Sequence, residues 1–300
     1  MGRHRQIEVF AAVARTGSLA SAARTLALSP ATVMRTVSAL EARLGTRLLE
    51  RGPRGVRLSS VGALFAASCQ RALEATAEAE RSAAGLHSHP TGELTVALPL
   101  LMAHQVFAPL AVEYLTTFPD LRLRTLARES MPKLLEEGID VALVIGHLAD
   151  SSDFAVSIGS VRPIMCGSPA YLAQRGRPAA AEDLHTHRTI LATAAGHGPD
   201  WHLYGHPSTY SIRTAPILTC NTQQGAIHAA VRGLGLIRCM SHEVHQELQC
   251  GLLEPVLQAF KSPDLPAQLI YREGRRACAR VRTFIDFAVP RLRLHPALRA

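Results

Sequence analysis

The stretch TGSLASAARTLALSPATVMRTVSALEARLGTRLLERGPRGVR, residues 16–57, decides the fold of the amino-terminal part of the chain. It contains two short helical patterns separated by a tight turn. Ser18 and Ser29 stand where the two helices begin, and serine is a good N-cap residue. Pro30 suits the first helical position, where no hydrogen bond is lost, and Gly45 is expected to end the second helix. Two helices with this spacing predict a helix-turn-helix, whose second helix enters the major groove of DNA.

The second helix is expected to present two different faces. Apolar residues at helical spacing predict an inward face, made of Val33, Val37, Leu40 and Leu44. The opposite face should carry polar residues near the amino end of the helix. The residues predicted to contact DNA in this region are Ser29, Ala31, Thr32, Arg35 and Thr36.

Two elements flank this pair of helices. A first helix is predicted over residues 3–15, with Ile7, Phe10, Ala11 and Ala14 on its apolar face. After the pair, two short strands joined by a basic Gly- and Pro-containing turn predict the wing of a winged helix. Arg51 and Arg54 lie in this turn and are expected to approach DNA phosphates or the minor groove.

The basic charge of the chain is concentrated in this region. Residues 1–60 contain ten Arg and three Glu, which gives +7, whereas the whole chain carries a formal charge of +8. The remaining 240 residues therefore contribute only +1. An excess of basic residues confined to one small segment is typical of a nucleic-acid-binding module.

A long helix and a hinge separate this segment from the rest of the chain. Residues 59–86 are Ala-rich and free of Pro, which predicts one long helix. The small domain has too little chain to cover such a helix, so pairing with a second copy is expected. Pro90 and Gly92 interrupt the pattern and predict a hinge over residues 87–92.

Beyond the hinge, strand patterns alternate with helical patterns, which predicts an α/β domain with a largely parallel sheet. Residues 196–206, which contain the only Trp, are predicted to be a polar loop. Strands are expected at 94–98, 121–126, 138–146, 161–165, 189–192, 217–220, 234–240 and 269–271. Helices are expected at 103–118, 131–137, 169–174, 226–232 and 278–292.

Motifs in both halves resemble the LysR-type transcriptional regulators. The amino-terminal matches are Phe10, Gly17, Ser18, Ala22, Ala23, Leu26, Leu40, Glu41, Leu44, Gly45, Leu48, Arg51 and Gly62. The later matches lie at 137–141, 150–152, 168–172, 233–235 and 284–286. One departure is Met34, which stands where this family commonly has Ser, so a phosphate-bonding hydroxyl is expected to be missing.

The resemblance implies a complete architecture and a function. It implies a winged helix-turn-helix at 1–59, a dimerising linker helix and hinge at 60–89, and an effector domain at 90–300. That domain is expected to resemble a periplasmic binding protein, with α/β subdomain I at 90–161 and 267–300 and subdomain II at 162–266. The implied protein is a homodimer or homotetramer that binds operator DNA and responds to a small-molecule effector.

An effector site is predicted in the cleft between the subdomains, because ligands in such folds sit at the carboxyl ends of strands. Asn221 is expected to cap the following helix, with Gln224 three residues on. The expected ligand is a mostly apolar small molecule with one anionic or polar group. The predicted contact residues are Leu100, Leu101, His104, Arg128, Gly146, His147, Asn221 and Thr222.

Other function classes find little support in the sequence. The common nucleophile-elbow, phosphate-loop and zinc-protease motifs are absent, so no catalytic residue, metal site or cofactor is predicted. No apolar run of membrane-helix length and no signal peptide is evident, which favours a cytoplasmic protein without membrane contact. Two alternatives stay open, namely a solute-binding protein without a regulatory role and a redox sensor. The latter would use some of Cys69, Cys166, Cys220, Cys239, Cys250 and Cys278.

Overall fold

The computed structural model describes nine stretches of the chain. Residues 1 and 300 and the short segments between these stretches lie outside the description, among them Arg54, residues 84–89 and residues 149–152. The described stretches are residues 2–52, 55–83, 90–148, 153–193, 198–205, 209–260, 262–272, 274 and 277–299.

The amino-terminal domain has a three-helix core followed by a two-stranded ribbon. The helices are α1 (Arg3–Thr16), α2 (Leu19–Thr25) and α3 (Pro30–Leu44). Strands β1 (Leu49–Gly52) and β2 (Gly55–Leu58) pair antiparallel, and the long helix α4 (Ser60–Ala83) leads away from them. The predicted winged helix-turn-helix and linker helix are therefore present.

The buried face of α1 is wider than predicted, although Phe10, Ile7 and Ala11 of the predicted face do pack in the core. The buried residues of that helix are Val9, Phe10, Ala12 and Val13, whereas Ile7, Ala11 and Ala14 are only partly buried. Helices α3 and α4 cover a wider arc of α1 than a single apolar stripe suggests. The ring centroids of Phe10 and of Phe65 on α4 lie 5.4 Å apart, which ties the linker helix to the same core.

The first sheet of the second domain has the strand order β4-β3-β5-β14-β6. Strand β3 is parallel to β4 and β5, whereas β14 is antiparallel to β5 and β6. The strands are β3 (Gly92–Leu98), β4 (Leu121–Ala127), β5 (Val141–Ile145), β6 (Phe154–Val161) and β14 (Leu265–Tyr271). The helices of this part are α5 (Leu100–Met102), α6 (Ala108–Thr117), α7 (Leu134–Glu137) and α11 (Ala279–Leu294). A π-helical turn, Ala103–Phe107, joins α5 to α6.

The second sheet has the strand order β11-β8-β12-β7-β13. Its strands are β7 (Pro163–Gly167), β8 (Thr189–Ala192), β11 (Pro216–Cys220), β12 (Leu236–Met240) and β13 (Glu254–Val256). Its helices are α8 (Pro169–Arg175), α9 (Gln223–Val231) and α10 (His245–Gln249). Both sheets are mixed rather than largely parallel, because strands that the chain adds late pair antiparallel with earlier ones.

Several segments depart from the sequence prediction, and two of them form strands that were not predicted. A segment predicted in part as a polar loop contains two strands, β9 (Asp200–Tyr204) and β10 (Thr209–Arg213), which pair antiparallel, and Trp201 is buried in β9. Strand β6 was not predicted at all, since its solvent face and Gly159 dilute the apolar pattern. Among the described residues, no helix is long and apolar enough to cross a membrane.

Candidate DNA interface and effector cleft

The amino end of α3 is fixed by its cap. The Ser29 Oγ accepts the N–H of Thr32 at 3.1 Å and lies 2.8 Å from the Thr32 Oγ1. Pro30 occupies the first turn, and Gly45 ends the helix with a φ of 68°, a conformation that favours glycine. The predicted bounds of α3 are thus confirmed, and the cap leaves Ala31 exposed and Thr32 partly exposed.

One continuous stripe on α3 faces solvent. Ala31, Met34, Arg35 and Ser38 are exposed and follow the spacing of one helical face. Arg35 was predicted on this face. Ser38 was missed, although its position seven residues after Ala31 places it on the same stripe. We refer to these four residues as the α3 stripe.

Two residues of α3 lie elsewhere than predicted. Thr36 is only 5% exposed, and its hydroxyl donates to the Thr32 carbonyl at 2.8 Å, so the predicted position on the solvent face is wrong. The buried arc of α3 runs over Val33, Thr36, Val37 and Leu40, which is the width that a packed helix needs. Leu44, predicted to face inward, is the last residue of α3 and is exposed.

A carboxylate joins the ribbon to α3. The Glu41 Oε1 accepts the N–H of Leu48 at 2.8 Å and that of Leu49 at 3.0 Å. Charge-assisted bonds of this kind are stronger than neutral ones, so the ribbon is held at a fixed place relative to α3. The backbone of Arg51 pairs with that of Val56, whereas the Arg51 side chain and all of Arg54 lie outside the described structure.

A cavity of about 260 Å³ lies at the carboxyl ends of β3, β4 and β5. Its second wall comes from the turn after β12 in the other sheet. This position between the two sheets is where a ligand cleft was predicted. We call it the cleft; its lining residues are Leu98, Pro99, Arg128, Glu129, Ser130, Met131, Pro132, Leu143, Val144, Ile145, Met240, His242, Glu243 and Leu265.

Of the eight residues predicted to contact an effector, only Arg128 lines this cleft. Leu101 is buried in the core of the second sheet, while Leu100, His104, His147 and Asn221 are exposed and Gly146 is partly buried. The predicted cap at Asn221 is wrong, because the Thr222 Oγ1 accepts the N–H of Gly225 at 3.3 Å and caps α9 instead. Neither Asn221 nor Thr222 is part of the cleft lining.

The second wall contains two titratable groups that sequence reasoning missed. His242 is 2% exposed, and its burial lowers its pKa to about 4. Burial and the charge of Glu129 raise the pKa of Glu243 to about 7, although the Glu243 Oε2 accepts the N–H of Met240 at 2.7 Å. Glu243 is therefore partly protonated near neutral pH and His242 is neutral.

We expect Glu243→Gln to stabilise the protein at neutral and alkaline pH. Between the ordinary Glu pKa of 4.5 and about 7 the unfolded chain releases a proton that the folded chain keeps, so the wild-type free energy of unfolding falls as pH rises. The variant escapes this loss and should gain roughly 1–2 kcal/mol above pH 7, discounted for the partial exposure of the carboxyl. Thermal unfolding across pH measures it, and the gain should fade towards pH 4.5. A gain in the free energy of unfolding that is independent of pH, or that is equal in the exposed Glu136→Gln variant, would show that the gain does not come from the raised pKa of Glu243.

Three buried thiols, those of Cys69, Cys166 and Cys239, give little support to the redox alternative. Cys166 and Cys239 are buried on neighbouring strands, and a hydrogen bond to Cys166 together with burial holds the pKa of the Cys239 thiol well above its usual range. Burial also raises the pKa of Cys69 to about 11. Such thiols are poor nucleophiles because they stay protonated. In the described part of the chain, no three His, Cys, Asp or Glu side chains are grouped for a metal ion.

Comparison with known protein families supports the same architecture. Residues 4–63 match the domain described as bacterial regulatory helix-turn-helix protein, lysR family. Residues 87–293 match the LysR substrate binding domain. The two matches together span nearly the whole chain.

Individual relatives agree with these matches over their full length. The transcriptional regulator CrgA of Neisseria meningitidis serogroup B is 31% identical over 291 residues, covering 96% of both chains. The transcriptional activator AaeR of Escherichia coli K12 is 28% identical and covers 95% of this chain and 93% of its own. The solved structure of CrgA matches with a TM-score of 0.62 over 97% of this chain and 99% of its own. The chain therefore belongs to the LysR family and is a DNA-binding transcriptional regulator of that type.

Proposed function

We propose that a small molecule bound in the cleft controls the affinity of this regulator for its operator. The observation that carries the proposal is the 260 Å³ cavity between the two sheets, which is close to the lower end of the range of about 300–1,000 Å³ found for ligand sites. A ligand that binds one arrangement of the sheets more tightly shifts the population towards it. The test is operator affinity with and without a cleft ligand, and an unchanged affinity at saturation would contradict control through the cleft.

The proposed operator contacts are the α3 stripe, the cap residues Ser29 and Thr32, and the basic turn with Arg51 and Arg54. Arginine is the usual bidentate partner of guanine, which assigns base reading to Arg35. Met34 offers apolar contact where the family's hydroxyl is missing, and the thymine methyl is the group in the major groove that suits it. Ser38 extends the stripe by one turn towards bases or phosphate.

We expect Arg35→Ala to lower specific operator affinity by roughly 1–3 kcal/mol. The matched control is Arg43→Ala, which removes the same charge from the same helix, where the Arg43 Nε donates to the Gln6 Oε1 at 3.1 Å. Fluorescence anisotropy with an operator selected from random duplexes and with a scrambled duplex of equal length separates the two effects. Arg35→Ala should weaken operator binding more than scrambled binding, whereas equal losses on both duplexes would remove Arg35 from base recognition.

Pairing of two chains through α4 is part of the same proposal. Val61 and Leu64 are 47% and 58% exposed and lie one turn apart on α4, which leaves apolar surface for a second copy. A two-fold dimer of this kind would present two α3 helices to two half-sites. We retain the predicted homotetramer and the predicted domain division at residues 59 and 89. Light scattering of wild type and of Leu64→Glu tests the α4 contact.

A further inference from the structure

The cleft lining has more acidic side chains than basic side chains available to pair with them. Three formally charged side chains line it, namely Arg128, Glu129 and Glu243. Arg128 forms an ion pair with Glu137, which is not a lining residue, so its positive charge is already matched. His242 adds no charge near neutral pH, because burial keeps its imidazole neutral. The two carboxyls of Glu129 and Glu243 are therefore left without a cation of their own in the cleft lining.

These two carboxyls act on each other. The charge of Glu129 is one of the causes that make ionisation of Glu243 unfavourable, and the other is loss of water. A cation placed between them would offset the repulsion and compensate for the lost water, since opposite charge favours the ionised form of each acid. Within the described residues, the donors to the Glu243 side chain are the Met240 N–H and the Gln223 side chain.

Two buried polar atoms, one on the second wall and one behind it, have unused hydrogen-bonding capacity. The Nδ1 of His242 is buried without a partner among the described residues, and His242 lines the cleft. Beside it, the Gln105 Nε2 donates to the Glu243 carbonyl at 3.2 Å, and the Gln105 Oε1 is likewise buried without a partner in the described structure. Buried polar groups normally have a partner, because leaving one unpaired is costly. The neutral His242 Nδ1 can accept a hydrogen bond, and a ligand donor would supply one.

Apart from Ser130, the rest of the lining is apolar. Its members come from the ends of β3 and β5, the start of β14 and the loop after β4: Leu98, Pro99, Met131, Pro132, Leu143, Val144, Ile145 and Leu265. Such a surface suits a small hydrocarbon body rather than a hydrated metal ion, which needs several oxygen ligands.

We propose that the cleft takes an amine, with its ammonium group between Glu129 and Glu243 and its apolar body against the first sheet. This inference rests on the proposed function and names the chemical class of its effector. The sequence predicted an apolar molecule with one anionic or polar group and placed Arg128 among its contacts, whereas the acids of the cleft favour a cationic group. Pairing with Glu137 makes Arg128 unavailable to an anion. Each wall contributes one acid, Glu129 from the loop after β4 and Glu243 from the turn after β12.

The test uses three probes of one shape and different charge on the full chain. Benzylamine is cationic, benzyl alcohol neutral and benzoate anionic near neutral pH. Calorimetric titration at millimolar concentrations should give binding in the order benzylamine, benzyl alcohol, benzoate. Glu243→Gln should weaken benzylamine roughly tenfold or more, because a charge-assisted bond is lost. The control Glu136→Gln removes an exposed carboxyl outside the cleft lining and should bind as wild type does.

Three results would overturn the inference: no benzylamine binding, benzoate binding as tight as that of benzylamine, or equal benzylamine affinity in Glu243→Gln. Because Glu243→Gln is expected to be more stable than wild type, a loss of binding in it cannot come from unfolding. Operator binding is measured on the same preparations. If the protein binds operator but none of the three probes, the amine class is refuted and the DNA-binding activity stands. If benzylamine binds but operator affinity does not change, the amine class stands and the proposed control through the cleft is refuted.

Discussion

Replacing Gly62 by alanine is expected to disrupt the DNA-binding domain and abolish operator binding. A Cβ on residue 62 would lie 1.9 Å from the Leu48 carbonyl oxygen and 2.8 Å from its carbon. These atoms belong to the backbone, and neighbours hold them in place. The Ser59 N–H donates to the Leu48 oxygen at 3.0 Å, and the Glu41 Oε1 accepts the Leu48 N–H. Neither α4 nor the start of the ribbon can move without breaking these bonds.

The expected cost exceeds the usual 1–3 kcal/mol of overpacking, so we expect more than about 3 kcal/mol. Circular dichroism melting and operator titration measure it. Gly2→Ala is the matched control, since a Cβ at residue 2 of the same domain meets nothing within 4 Å. Wild-type melting and operator affinity in Gly62→Ala would show that the junction of β2 and α4 can relax, contrary to this expectation.

The second large effect is expected from Arg280→Met. The Arg280 Nη2 lies 3.2 Å from the Asp140 Oδ1, and both side chains are nearly buried. The Asp140 Oδ2 also accepts the Thr95 N–H at 2.8 Å, so the pair joins α11 to the middle of β3 and the start of β5. Removing the cation leaves a buried carboxylate uncompensated, which typically costs about 3–5 kcal/mol. Denaturant unfolding measures this loss.

A double-mutant cycle separates loss of the charge from loss of packing. Adding Asp140→Asn to Arg280→Met removes the stranded charge, so part of the lost free energy of unfolding should return. Lys133→Met breaks the exposed pair with Glu136 and should cost less than about 1 kcal/mol. Equal losses in Arg280→Met and Lys133→Met, or no recovery in the double variant, would contradict the role given to the buried pair.

The sequence predicted best the structure that depends on near neighbours. The caps at Ser18 and Ser29 and the stop at Gly45 are set by residues within one helical turn, and the structure confirms them. The cap of α9 was predicted one residue too early. Asn221 and Thr222 are both good N-cap residues, and only the backbone conformation of the folded chain determines that Thr222 is the cap. Thr36 was predicted on the wrong face of α3, because the helical period of the apolar residues does not tell how wide the buried face of that helix is.

Features that depend on distant pairing were harder to predict. The strand pair around Trp201 is polar in sequence because only alternate residues face inward, and β6 exists because β14, more than 100 residues later, pairs with it. The cleft shows the same limit. Strand ends identified the first wall and Arg128, but His242 and Glu243 come from another sheet, and their exposure to the cleft has no local signal.

The buried position of Trp201 makes its fluorescence an intrinsic probe of the folding of the second domain. It is the only Trp, lies 2% exposed in β9 and packs in the core of the second sheet. Its fluorescence therefore follows that part of the molecule alone, whereas far-ultraviolet signals average all helices. In Gly62→Ala the helical signal should decay at lower temperature than the tryptophan emission. Unfolding of the amino-terminal domain can thus be measured separately from that of the second domain, without an added label.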